Sequence, residues 1–131
     1  MRPLSILRDQ HPLRLWRTWG NLLIFIESRV FERHREDYLD DSQFRAMQSA
    51  ILRNPAVGAL IPGTNGLRKL RWGTEGGGKR GGLRVIYYLV TADALCLLLH
   101  LYPKSAQDDL GPDELRVLMK LVRTHLATGG T

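Results

Sequence analysis

GLRKLRWGTEGGGKRGGLRVIYYLV, residues 66–90, decides the fold of this chain of 131 residues. Residues 67–72 and 83–90 alternate in side-chain character, and the second segment is rich in Val, Ile and Tyr, so both are predicted strands. The glycines between them predict a flexible loop over 73–82. The stretch holds one acid, Glu75, and most of the chain's net charge of +6 comes from its six cations: Arg68, Lys69, Arg71, Lys79, Arg80 and Arg84. Such a basic surface indicates an anionic partner.

Upstream, the pattern predicts one strand and two helices. Residues 22–26 form a short apolar run that is typical of a buried strand. Apolar positions then recur with helical spacing from Val30 to Tyr38. Asp40 or Asp41 is expected to cap a second helix, which Asn54-Pro55 ends. These helices should form a hairpin, and the turn-rich residues 56–66 should form a loop.

Downstream, residues 95–102 predict a third strand of a meander, and Gly111-Pro112 starts a helix that ends near Thr128. We therefore expect an α+β fold in the order β-α-α-β-β-β-α. Its small, antiparallel, twisted sheet has about four strands, with the N-terminal helical hairpin and the C-terminal helix covering one face. Residues 22–128 are predicted to form a single domain, and residues 1–21 a flexible basic N-terminal extension.

Several classes of site are disfavoured by the sequence. Cys96 lies in an apolar run and is expected in the core, and four scattered histidines give no spacing for metal ligands. Residues 73–82 satisfy two glycine-rich nucleotide-binding patterns, but a strand follows where both patterns need a helix. No stretch is long and apolar enough to cross a membrane. No cofactor or metal is expected, and the single cysteine suits a reducing cytoplasm.

Cations on neighbouring strands make the best candidate site. Lys69, Arg71 and Arg84 should meet on one sheet face, with Tyr102 and Lys104 at the end of the next strand. Such a face can hold a phosphodiester backbone and stabilise the charge of a pentacoordinate phosphorus that the RNA 2′-OH attacks. Crowded cations favour a neutral lysine, so Lys69 or Lys104 can act as base. His100 is either a structural histidine or a proton-transfer group. A basic face that binds without catalysis is the alternative.

A family resemblance rests on the strand pattern G-x-R-V-I-Y-Y, preceded by R-K-L-R-W and followed by Y-x-K-x-x-x-x-D-L-x-P-x-E-L. Together with FIESRVFERHREDYLDDSQFRAMQ, these motifs resemble the RelE/ParE/HigB superfamily of bacterial type II toxins, and the HigB-like branch of RelE ribonucleases in particular. The resemblance covers residues 22–126 and implies a small antiparallel sheet with packed helices. Residues 1–21 match nothing in the pattern.

The resemblance implies a toxin that enters the ribosome and cuts mRNA as a metal-independent endoribonuclease in the bacterial cytoplasm. A cognate antitoxin, often with a helix-turn-helix domain, would neutralise it. It implies that Arg84 contacts the scissile phosphate and that Lys69 and Arg71 lie beside it, with Arg68 as a neighbour. Lys79 and Arg80 are then expected to bind ribosomal RNA.

The identity of the general base stays open, because the C-terminal segment lacks the tyrosine that some RelE members have there. Lys69, Lys104, Tyr102 and His100 are the candidates. ParE relatives share the fold and target DNA gyrase without catalysis, so fold alone does not give the activity. A gyrase inhibitor and a basic RNA- or protein-binding module are the alternatives.

Overall fold

A computed structural model describes residues 7–9, 15–18, 21–74 and 78–128, in which three helices and one sheet form an α+β fold. The helices are α1 (Arg29–Tyr38), α2 (Asp41–Arg53) and α3 (Pro112–Ala127). The strands are β1 (Leu7–Asp9), β2 (Leu15–Thr18), β3 (Asn21–Ser28), β4 (Ala59–Leu60), β5 (Arg68–Thr74), β6 (Gly78–Val90) and β7 (Leu95–Pro103). A short 3₁₀ turn, Thr91–Asp93, joins β6 to β7. The three helices and the β5-β6-β7 meander confirm the predicted α+β class.

The sheet is mixed, so the prediction of an antiparallel sheet of about four strands is wrong. Its order is β1-β3-β7-β6-β5-β4, and β2 also pairs with β3. The strand β3 runs parallel to β7, with Phe25 opposite Cys96, while the other described pairings are antiparallel. Parallel pairing is possible because the whole segment from α1 to β6 forms the crossover between these two strands. The predicted element order therefore omits β1, β2 and β4.

Two predicted irregular segments contain strands. The two residues of β4, inside the predicted loop 56–66, pair with Lys69 and Arg68 of β5. Most of the predicted loop 73–82 belongs to β5 and β6, whose ladder reaches Thr74 and Gly78. Gly82 is needed inside this ladder because a Cβ there would lie 2.3 Å from the carbonyl oxygen of Trp72. Near the N-terminus, β1 and β2 lie within the segment that was predicted to be a flexible extension.

Helices cover both faces of the sheet, in contrast to the predicted single covered face. Side chains of α1 and α2 pack on one face, where Phe31 and Phe44 lie with ring centroids 6.1 Å apart. The other face packs against α3 through Leu118 and Val122. Strand alternation divides β6 between these two cores: Leu83, Val85 and Tyr87 face α1 and α2, while Ile86 faces α3.

Capping interactions fix where the helices begin. The hydroxyl of Ser28 accepts from the amide of Phe31 at 3.0 Å and donates to the carbonyl of Leu99 at 2.8 Å, so it joins the start of α1 to β7. Asp40 caps α2, as predicted, in a reciprocal pair of bonds with Gln43. Within the described ranges, none of the helices is long and apolar enough to cross a membrane.

Candidate functional site

Two of the predicted cations, Arg71 and Arg84, form one row with Tyr102 across three strands. Arg71 of β5 lies opposite Arg84 of β6, and Arg84 lies opposite Tyr102 of β7. Lys69 belongs to the next row, opposite Ile86. These side chains share the face that α3 covers farther along, where Ile86 enters the α3 core. The strand register therefore brings together four of the residues that the sequence assigned to the site.

Arg84 is buried and already has an anionic partner. Its side chain is 2% exposed, and its Nε donates to Oδ1 of Asp108 at 3.0 Å. Its Nη1 also donates to the carbonyl of Leu83 at 3.3 Å. A buried guanidinium needs such partners, because an unpaired charge in the interior is costly. A phosphate can reach the Nε of Arg84 only if Asp108 moves aside.

Lys69 is paired in the same way. Its Nζ donates to Oδ1 of Asp109, and its side chain is 17% exposed, compared with 78% for Asp109. Asp108 and Asp109 follow β7 in the chain, so one short segment carries the partners of both cations. The hydrogen bond from Arg84 is the main cause that lowers the pKa of Asp108 below its ordinary value. Asp108 is therefore charged at neutral pH.

Arg71 and Lys104 complete the cationic face. Arg71 is exposed, and Lys104 is half-buried in the turn after β7. The backbone amide of Lys104 donates to the carbonyl of Gly82 at 3.1 Å, which holds this turn against β6. The charge of Lys104 also reaches Asp108, where it favours the ionised carboxylate. Arg71 is thus the predicted site cation that meets solvent most openly.

Tyr102 keeps its proton. The side chain is 5% exposed, and its hydroxyl donates to the carbonyl of Asp108 at 3.1 Å. Burial, supported by the negative charge of Asp109, raises the pKa of Tyr102 to about 12. A phenol with this pKa is neutral at physiological pH, so Tyr102 can donate a hydrogen bond or a proton. This state argues against Tyr102 as the general base.

His100 lies beside Tyr102, with 5.3 Å between the ring centroids, and 5.7 Å from the ring of His34. Regular strand alternation would put Leu98 on the same face as His100 and Tyr102, but Leu98 belongs to the core under α1 and α2. The reason is a bulge: Ile86 pairs with His100 and Tyr87 with Leu98, which leaves Leu99 as the extra residue.

The environment of His100 favours its neutral form. Burial, with a smaller contribution from His34, lowers the pKa of His100. His34 donates from Nδ1 to the carbonyl of Leu101 at 3.1 Å, since a carbonyl only accepts. The Nδ1 of His100 is buried and makes no hydrogen bond to any described group. Chemically, His100 is a neutral imidazole next to a phenol that holds its proton.

Arg68 faces the opposite side of the sheet, toward the loop before β4. Its Nη1 donates to the carbonyl of Gly58 at 2.6 Å and to that of Ala56 at 3.4 Å. Tyr87 binds the same loop, because its hydroxyl donates to the carbonyl of Pro55 at 2.7 Å and accepts from the amide of Gly58 at 2.9 Å. These bonds give Arg68 a structural role, and the structure does not bring it to Lys69 and Arg71.

The remaining two predicted RNA-binding residues, Lys79 and Arg80, belong to β6 by their backbone. The structure describes the backbone of these two residues and not their side chains. Their predicted contacts with RNA therefore lie outside the described part of the chain. Across the described residues, His, Cys, Asp and Glu side chains form no group of three that could hold a metal ion.

Sequence reasoning missed Asp108 and Asp109. The motif Y-x-K-x-x-x-x-D-L includes Asp109, but no role was assigned to it. The sequence did contain a signal for this role, namely two adjacent acids four and five residues after Lys104. Carboxylates near a basic face tend to pair with its cations. Their partners could not be known without the path of the chain after β7.

A scan of the chain against models of known protein families finds no match. The functional argument therefore depends on the geometry of the site. A sheet face presents cations, a protonated phenol and a neutral imidazole, and two carboxylates from one segment neutralise two of the cations. Such a face can bind a phosphodiester backbone by exchanging carboxylate partners for phosphates.

Proposed function

We propose that this protein is the toxin of a type II toxin–antitoxin system, and that it cuts mRNA on the ribosome as a metal-independent endoribonuclease. One observation carries the proposal: Lys69, Arg71 and Arg84 share a sheet face with Tyr102. The resemblance of the surrounding motifs to RelE and HigB toxins supports it. An RNA backbone fits this face because its phosphates are regularly spaced anions.

The chemistry needs no cofactor. The 2′-oxygen of RNA attacks the adjacent phosphorus, the bond to the 5′-oxygen breaks, and a cyclic phosphate and a 5′-hydroxyl result. The enzyme must align the backbone, spread the extra negative charge, take the 2′-proton and protonate the leaving oxygen. Arg71 and Lys69 are the proposed charge stabilisers, and Arg84 joins them once Asp108 has moved.

The two proton transfers, from the 2′-hydroxyl and to the leaving oxygen, need one group that accepts a proton and one that donates a proton. Tyr102, whose pKa is raised to about 12, is suited to donate a proton or to position the phosphate, but not to accept a proton at neutral pH. His100, whose lowered pKa favours the neutral imidazole, is suited to accept one. Lys69 and Lys104 stay as alternative bases. The assignment of the base is therefore a choice between His100 and these two lysines.

The proposed setting follows from the resemblance. The ribosome and its mRNA are the proposed partners in the bacterial cytoplasm, and a cognate antitoxin with a helix-turn-helix domain is the proposed inhibitor. An antitoxin acting at this site would have to cover Arg71, the most open cation of the row.

The direct experiment maps mRNA ends on translating ribosomes with and without the protein. New ends should appear within ribosome-bound message and should disappear with Arg71→Ala, which removes an exposed charge and leaves both cores intact. Unchanged ends with the wild-type protein contradict the proposal. Unchanged cutting by Arg71→Ala contradicts the site assignment.

Binding without catalysis is the second candidate, and the carboxylate partners of Arg84 and Lys69 favour it. A face whose cations are already paired can serve as a recognition surface for nucleic acid or protein, including DNA gyrase in the ParE manner. In that case the protein should arrest growth or induce DNA-damage signalling while transcripts stay intact.

A further inference from the structure

A cavity of about 310 Å³ lies beside the cationic row. One side is formed by β4 and the turn after it, and the other by the segment that leads into α3. Its polar lining residues are Lys69, Asp109 and Tyr102. The remaining lining residues are apolar: Ala59, Leu60, Ile61, Pro62, Ile86, Leu110 and Leu115. Leu60 is 59% exposed, an unusual degree for a large apolar side chain.

The volume and lining of this cavity suit a small, partly polar organic group. Cavities that bind small organic groups are concave, mostly apolar and carry a few polar groups that orient the ligand. A nucleobase has two apolar faces and a polar edge, so apolar walls pack on its faces and charged groups bind its edge. Here Lys69 supplies a donor and Asp109 an acceptor.

Continuity with the site identifies the occupant. Lys69 belongs both to the cavity and to the proposed phosphate-binding face, and Tyr102 lies in both as well. A nucleotide whose phosphate is bound at Lys69 and Arg71 therefore has its base within reach of the cavity. A protein segment would also fit apolar walls, but the cavity opens beside a cationic row that selects anions.

We propose that this cavity is a nucleobase subsite, which holds the base next to the phosphate bound by Lys69 and Arg71. The inference rests on the proposed function in one respect, namely that RNA is the anion on this face. Binding the base beside the phosphate fixes the backbone, which is what an in-line attack requires.

The test fills the cavity from its edge. Ala59 is exposed and lines the cavity from the edge strand β4, so Ala59→Trp places an indole there without changing either core. Val57 is 41% exposed and lies two residues earlier, outside the lining, so Val57→Trp is the matched control. Two probes are compared by titration at fixed salt: a short fluorescent single-stranded RNA, and inorganic polyphosphate, which has the charges but no bases.

Ala59→Trp should weaken RNA binding about tenfold, because the indole takes the place of a base that would be buried against apolar walls, and should leave polyphosphate binding unchanged. Val57→Trp should change neither. Leu60→Asn is the second variant: it removes an apolar wall at an exposed position and should also weaken RNA binding selectively. Equal losses for both probes, or unchanged RNA binding by Ala59→Trp and Leu60→Asn, overturn the proposal.

The same variants separate this inference from the proposed function. Base-dependent binding together with intact ribosome-bound message rejects cleavage and keeps the subsite. Cleaved message together with wild-type RNA affinity in Ala59→Trp rejects the subsite and keeps cleavage. Wild-type protein that binds RNA no better than polyphosphate, with no response to Ala59→Trp, rejects the subsite whatever the ribosome experiment gives.

Discussion

The side chains of Arg84 and Asp108 form an ion pair with very different exposure at its two ends. The distance from Nε to Oδ1 is 3.0 Å, and Arg84 is 2% exposed while Asp108 is 47% exposed. Because the carboxylate is the accessible end, an incoming phosphate can replace Asp108 without unpacking the arginine. The candidate site is therefore closed by its own anions in this structure, and the proposed binding of RNA would exchange these carboxylates for phosphates.

Removing the exposed cation tests where RNA binds. Arg71→Ala should weaken binding of single-stranded RNA about fivefold at low salt and reduce the salt slope of log Kd by about one, because one phosphate contact is lost. Arg45→Ala removes the same charge from an exposed position on α2 and is the control. Fluorescence titrations across a salt series measure both. Equal losses for the two variants would mean that only net charge matters.

Removing an anion from the closed site should have the opposite effect. Asp109→Asn frees Lys69 from its partner, so RNA affinity should rise about two- to threefold at low salt, and the gain should shrink as salt screens the charges. Asp37→Asn, at an exposed position on α1, changes the net charge equally and should have a smaller effect. The substituted amide keeps an acceptor oxygen for a base in the cavity beside Lys69, so weaker RNA binding by Asp109→Asn would instead show that the charge of Asp109 positions Lys69 or holds the base.

Arg68 is expected to matter for stability and not for RNA. Its bonds to the carbonyls of Gly58 and Ala56 hold the loop before β4. Arg68→Ala should lower the free energy of unfolding by about 1 kcal/mol, because the partly buried carbonyl of Gly58 loses a charged donor. Urea denaturation measures this loss. The salt slope of RNA binding should stay at the wild-type value, and a slope reduced as in Arg71→Ala would restore Arg68 to the RNA-binding face.

Local patterns predicted the parts of the fold that depend on neighbouring residues. Side-chain alternation placed Lys69 and Arg71 on one face, and the meander placed Arg84 next to Arg71. Capping chemistry placed the start of α2 at Asp40 or Asp41, and Asp40 is the cap. Each of these features depends on residues that are close in sequence or joined by short turns.

The features that sequence did not predict depend on long-range contacts. The parallel pairing of β3 with β7 joins Phe25 to Cys96, and no local period encodes a partner that far away. The bulge at Leu99 is equally invisible, because an extra residue in one strand is defined only by the opposite strand, and it moved His100 relative to Leu98. Predicting that Asp108 pairs with Arg84 requires knowledge of the path that the chain takes after β7.

Tyr102 provides a test of the proton transfers. Its pKa of about 12 means that a mechanism with Tyr102 as base would need a rate that rises steeply toward alkaline pH. We expect Tyr102→Phe to lower the cleavage rate but to leave the shape of the pH–rate profile unchanged, since only the hydrogen bond to Asp108 is lost. His100→Gln should remove an acidic limb centred below pH 6.5, the ordinary value for histidine, because burial lowers the pKa of His100.

Single-turnover cleavage on programmed ribosomes gives these profiles. The wild-type rate should fall as pH drops through the lowered pKa of His100, because protonation removes the acceptor. A profile that keeps its acidic limb in His100→Gln assigns the base to Lys69 or Lys104 instead. Loss of an alkaline limb in Tyr102→Phe would identify Tyr102 as the base.

His125 should make the fold less stable at acidic pH. Its side chain is 4% exposed, and neither ring nitrogen bonds to a described group. Burial lowers the pKa of His125, so the unfolded chain takes up the proton first as pH falls below the ordinary value of 6.5. The contribution of His125 to the free energy of unfolding is therefore constant above that pH and declines below it. Burial lowers the pKa of His100 in the same way, so His100 contributes to the same decline in the free energy of unfolding.

His125→Leu should raise the free energy of unfolding by about 1 kcal/mol at neutral pH, because it removes two buried polar atoms without partners. The difference from wild type should widen at about pH 5, since the variant lacks one of the protons that favour unfolding. Urea denaturation at both pH values measures the two differences, and His100 leaves a residual pH dependence in the variant. A constant difference at both pH values would mean that His125 is protonated equally in the folded and unfolded chains.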